Sequence, residues 1–178
     1  AGSLSLRLLR PIHPFLAYAA QHLAAIPLRA AIAVPVAVIL LLATGTNHLA
    51  SDPVAIAAIL PSIAGAWLIT FLSMTVLGSL AMLMERSVSV WEIWMGLFAV
   101  LSGYLVPLEL LPGWVADLSR WLPFRYMLGF PVEVIIGMAD RSAVLRGLGV
   151  QAAMIAGLFV LSGAVWRAGL RRFEAFGA

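Results

Sequence analysis

Four prolines, Pro107, Pro112, Pro123 and Pro131, punctuate one apolar stretch, WEIWMGLFAVLSGYLVPLELLPGWVADLSRWLPFRYMLGFPVEVIIG, at residues 91–137. Its first part, 91–107, carries no charge after Glu92 and reads as a membrane-spanning helix. Residues 108–137 cannot continue it as one helix, because each proline lacks an N–H and disfavours helix at the residue before it. Backbone broken at membrane depth persists only where protein or a wet cavity surrounds it. The stretch therefore predicts a spanning helix that runs into a half-inserted apolar loop, within a multi-helix membrane protein.

The rest of the chain is of the same kind. Of 178 residues, 63% are hydrophobic and 11% charged, more apolar surface than a water-soluble domain of this size can cover. The expected solvent is a bilayer. The eleven cations are all Arg and lie scattered among apolar runs, so they form no basic face for nucleic acid. With no Cys, disulfides and thiolate chemistry are excluded. With no Lys, the phosphate-binding loop GxxxxGK[ST] is excluded, and any ATP chemistry must come from a partner chain. His13, His22 and His48 are too widely spaced for a metal site, and the spans contain neither paired acids nor His for hydrolysis. No catalytic, metal or cofactor-binding residue is predicted. No charged n-region with a cleavage site follows Ala1, so no signal peptide is expected.

In chain order, residues 1–26 carry Arg7, Arg10 and two prolines, Pro11 and Pro14, before a pattern of Phe15, Tyr18, His22 and Ile26 on one helical face. This predicts a short surface helix on the basic side of the membrane; the alternative is an ordinary lead-in to a span. The first span is expected at 28–43, borrowing residues from both flanks because sixteen residues reach only about 24 Å. Asp52 and Pro53 read as a cap and first-turn proline for a second span at 54–84. Within it Ala58, Ser62, Ala66 and Thr70 recur every four residues, and such small side chains let another helix approach closely. Glu85 and Arg86 close that helix, and 87–90 serve as a connector. In the third span, at 91–107, Gly96, Ala99 and Gly103 make a second close-contact face. Residues 113–122 put Trp114, Leu118 and Trp121 on one side of an interfacial helix, with 124–137 as its partner. The fourth span is 147–166, with a basic tail at 167–178.

The expectation is thus an all-α polytopic membrane protein in one domain. About four spans are joined by an outer re-entrant region at 110–146, behind a surface helix at 1–26, with three of the spans within 27–109. Four spans place both ends on one side. Arg7, Arg10, Arg29, Arg86, Arg167, Arg171 and Arg172 then fall on that side and Arg120, Arg125, Arg141 and Arg146 on the other, which predicts cytoplasmic termini. Glu92 and Glu109 sit at span ends. Glu133 lies inside the apolar run FPVEVIIG, and a carboxylate at membrane depth is a functional candidate; an outer-surface position is the alternative.

The run LSGYLVPLELLPGWVADLSRWLPFRYMLGFPVEVIIG, with a last span and the tail RRFEAFGA after it, resembles the C-terminal part of the permease subunits of ABC-2 type ABC transporters, particularly the short bacterial permeases that lack an ATPase domain. The opening SLRLLRPIHPF is similar to a Leu-Leu-Arg-Pro segment that comes after the second of six spans in that branch. The resemblance implies a chain matching the C-terminal two-thirds of such a permease, in a bacterial inner membrane. It further implies an ABC ATPase partner carrying ATP and Mg, and a second permease subunit as homo- or heterodimer. Residues 11–25, with Pro11, Pro14, Phe15, Tyr18 and His22, would be the coupling helix, and 113–137 the paired re-entrant helices.

Three functions remain open on the sequence. An exporter permease accounts for the punctuated loop, the small-residue faces and the missing ATP site. A lipid-modifying membrane enzyme would have to draw on Glu109, Asp117 and Glu133. A structural or assembly subunit would need none of these.

Overall fold

A computed structural model describes residues 14–44, 49–83 and 87–175. All regular structure among them is helical, and the chain divides into two units, Ala1–Asn47 and His48–Ala178.

The first unit holds α1 (Pro14–Ala24) and α2 (Ile26–Thr44), separated by a turn at Ala25. Pro27 explains the break: it has no N–H to bond the Leu23 carbonyl, yet in the first turn of α2 none is needed. Pro14 opens α1 for the same reason. At 19 residues α2 extends beyond 28–43 on both flanks, as a span of about 28 Å requires.

The second unit holds α3 (Pro53–Leu83), α4 (Ser87–Leu101), a single 3-10 turn (Leu108–Leu110), α5 (Gly113–Ser119), α6 (Pro123–Met127), α7 (Gly129–Ile135) and α8 (Arg141–Ala175). Its main seam joins α3 to α8. Along α3 the buried positions include Ala55, Ala58, Ser62, Ala66, Ile69 and Ser73, spaced by three or four residues. They are mostly small, so backbones meet closely where lipid gives apolar helices no other reason to associate. The predicted stripe is therefore buried at Ala58, Ser62 and Ala66. Thr70 is half-buried and turns its hydroxyl back to the Ala66 carbonyl at 2.8 Å.

The two long helices start at the same end. Asp52 caps α3, accepting from the Val54 and Ala55 amides at 3.1 Å each, and Asp140 caps α8, accepting from the Ala143 amide at 2.8 Å. The segments leading into them are tied together: the Ala50 amide donates to the Ile135 carbonyl at 3.0 Å, and Gly137, at φ +69°, lies against Ala50 where a Cβ would sit 3.1 Å from its Cα.

Among the described residues, three helical stretches can cross a membrane by length and composition, Ala17–Val36, Pro53–Leu80 and Arg141–Arg171, with Ser89–Leu101 as a shorter apolar helix. Four expected boundaries need correction. The third span does not run to residue 107: α4 ends at Leu101, where Gly103 takes φ +83° and the chain leaves the helix before Pro107. At about 22 Å, α4 alone falls short of a bilayer core. Residues 87–90 begin α4 rather than connecting to it, while Glu85 and Arg86 lie outside the described residues. The last helix is not confined to 147–166, because the Asp140 cap starts it at Arg141 and nothing breaks it before Ala175. The interfacial helix expected over 113–122 stops at Ser119, and its partner is split into α6 and α7 at Leu128.

Candidate functional site

The prolines that forbid a single helix instead start several short ones. Pro107 caps the 3-10 turn, Pro112 caps α5, Pro123 is the first residue of α6, and Pro131 sits in the first turn of α7, all places where a missing N–H costs no helical bond. The result is a compact hairpin over 107–137. Phe124, Tyr126, Phe130, Pro131 and Val134 are buried in it, and Trp94 of α4 packs on Phe124 with ring centroids 4.6 Å apart. The start of α7 meets the end of α4 so closely that a Cβ at Gly129 would come within 2.9 Å of the Ser102 carbonyl oxygen.

Gln151 of α8 fixes the hairpin to the seam. Its side chain is 2% exposed, and Nε2 donates to the Ser62 carbonyl on α3 at 2.9 Å and to the Tyr126 carbonyl on α6 at 3.2 Å. One amide thus ties three elements together in a setting where unmet polar groups are costly. Gly65 makes the space, since a Cβ there would overlap the Gln151 amide; Gly147, one turn earlier on α8, likewise admits the Phe130 ring. From Arg141 to Gln151 helix α8 advances about 15 Å, and α3 advances about as far from Pro53 to Ser62. The hairpin therefore reaches from the shared starting end of the two helices to roughly half a bilayer core along them.

On its open side the hairpin forms a cleft of about 610 Å³ with α8, lined by Arg120, Arg125, Arg146, Asp117 and Glu133 together with Trp121, Tyr126 and Phe130. Glu133 does not stand alone in the apolar run. Its Oε2 accepts from Arg125 Nη2 at 2.7 Å, with the two side chains 22% and 16% exposed for Arg and Glu respectively. Arg120 and Asp117 pair at 3.0 Å on the surface, 63% and 69% exposed. The Tyr126 hydroxyl donates to the Arg120 carbonyl at 3.3 Å.

The remaining predicted positions are dispersed. Trp114 and Trp121 are exposed, Trp121 beyond the end of α5. Gly96 lies on a face of α4 where, its own helix aside, no atom of the described residues comes within 4 Å of where its Cβ would be, and Gly103 lies past the helix end, so the two share no continuous helical stripe. Tyr18 and His22 share one face of α1; Pro11 and the side chain of Phe15 lie outside the described residues. Sequence reasoning passes over Gln151, although a lone amide inside the apolar run VQAAMIAGLFVL is the signal that marks it.

A family model of ABC-2 family transporter proteins matches residues 1–177, from before α1 to the end of α8. The chain belongs to the ABC-2 transporter family. No curated protein and no solved structure matches it. As an ABC-2 permease it is a multi-pass membrane subunit of an ABC transporter, and the family resemblance carried by the proline-punctuated run is borne out. The all-helical polytopic architecture of the permease agrees with the predicted class.

Proposed function

We propose that the permease is the membrane-spanning subunit of an ATP-driven exporter in a bacterial inner membrane, working with a separate ABC ATPase that binds ATP and Mg and with a second permease subunit. The family match over residues 1–177 carries this reading. A chain without Lys cannot build the phosphate loop, so ATP hydrolysis falls to a partner. Both termini are cytoplasmic, from the Arg asymmetry, so α3 and α8 start on the outer side. The hairpin over 107–137 then enters the membrane from outside and returns. The open face of α4 at Gly96 offers a second permease subunit close approach.

Motion from the ATPase must enter on the cytoplasmic side, and we read α1 as the surface helix available there, although the apolar stretch Ala17–Val36 takes in most of it, with Phe15, Tyr18 and His22 spaced to anchor in a cleft. The test is the full-length permease with its ATPase in proteoliposomes. Phe15→Ala with Tyr18→Ala should abolish permease-stimulated ATP hydrolysis while membrane insertion is unchanged; undiminished stimulation would move the coupling role away from α1. The enzyme alternative is weakened because Asp117 and Glu133, two of its three candidate acids, are engaged in ion pairs.

A further inference from the structure

The charges of the cleft beside α8 do not balance. Arg120, Arg125 and Arg146 enter it from three separate elements, against the carboxylates of Asp117 and Glu133. Arg125 gives Glu133 only its Nη2, and its Nε–H is buried with no acceptor. The exposed Arg120–Asp117 pair is readily exchanged with other partners. Arg146 has no carboxylate within 4 Å among the described residues, and acts on Asp140 only from beyond ion-pair distance. The first turn of α8 does not supply the attraction, because Asp140 already occupies it.

Donors so arranged call for an oxyanion, which takes two or more guanidinium N–H groups at once. The rest of the lining is mostly apolar, with Tyr126 and Phe130 buried and Trp121 83% exposed. A free anion would leave those aromatic side chains unused. We propose that the cleft binds the phosphate or carboxylate headgroup of an anionic membrane amphiphile, with Arg125 and Arg146 on the oxyanion and the aromatic side chains against the adjoining apolar part. A cleft of about 610 Å³ is large enough for such a headgroup. The site is defined by binding, so it stands or falls independently of transport and of the ATPase.

The test is calorimetric titration of the full-length permease in uncharged detergent with dihexanoyl phosphatidic acid, dihexanoyl phosphatidylcholine and inorganic phosphate. Saturable binding of the phosphatidic acid is expected, with affinity at least about tenfold above the other two, as charge-assisted pairing to guanidinium implies. Arg146→Gln, at an exposed position, should reduce it by about tenfold with an unchanged melting temperature, and Arg125→Lys, which keeps the charge but removes the Nε–H, should also weaken it. Equal binding of phosphatidic acid and phosphatidylcholine, binding of inorganic phosphate as tight as the lipid, or full affinity in Arg146→Gln would each overturn the proposal.

Discussion

The Gln151 amide reaches from α8 to the Ser62 carbonyl at 2.9 Å, at matched depths on two helices that start from the same end. Because the same nitrogen also serves the Tyr126 carbonyl, the α3–α8 seam and the hairpin cannot separate without breaking its bonds. Gln151→Leu keeps the bulk and removes both donors, leaving the Tyr126 carbonyl without this partner. A loss of about 1–3 kcal/mol is expected, read as a lower melting temperature of the full-length permease in detergent. Gln151→Glu should be at least as damaging, since a buried carboxylate would face two carbonyls.

Gly147 and Phe130 form the second attachment. Gly147→Ala drives a Cβ into a buried ring that has little room to turn, so overpacking of about 1–3 kcal/mol is expected. Trimming the ring should relieve it: Gly147→Ala combined with Phe130→Leu should melt higher than Gly147→Ala alone. Additive losses in the double variant would show that the two positions are not in contact.

Asp140 gives α8 a pH-dependent start. Hydrogen bonds from the Ala143 amide and the Ser142 hydroxyl hold its carboxyl below the ordinary value. A carboxylate whose folded value is depressed stabilises the fold above its ordinary value, about 3.9, and loses that contribution as pH falls through the lower folded value. Amide exchange in the first turn of α8 should therefore quicken as pH is lowered below about 4, beyond the intrinsic change in exchange. In Asp140→Ala, exchange there should already be fast at neutral pH and show no such step.

The legible parts of the sequence are those whose signals are local. Asp52-Pro53 announces the start of α3 because capping is local chemistry, and Ala58, Ser62 and Ala66 announce the seam because close approach demands small residues. The end of α4 is hidden because residues 102–106 carry no charge to interrupt the run; the break lies in the backbone of Gly103, which hydropathy does not register. Similarly, Asp140 and Arg141 read as loop by polarity while in fact capping and opening α8. In the candidate site, Glu133 stands out as an acid in an apolar run, but its partner Arg125 lies on another short helix, and that pairing exists only once Pro123 and Pro131 have set the hairpin.

The central claim is that the hairpin enters and leaves the membrane on the face where α3 and α8 begin, with the termini on the other. Single cysteines at Ser51, Leu110, Ser142 and Ala178 in this Cys-free chain, labelled in intact cells with a membrane-impermeant maleimide, test it directly. Labelling is predicted for Ser51→Cys, Leu110→Cys and Ser142→Cys, and for Ala178→Cys only after the cells are opened. Labelling of Ala178→Cys in intact cells, or protection of Leu110→Cys while Ser51→Cys and Ser142→Cys react, would contradict it.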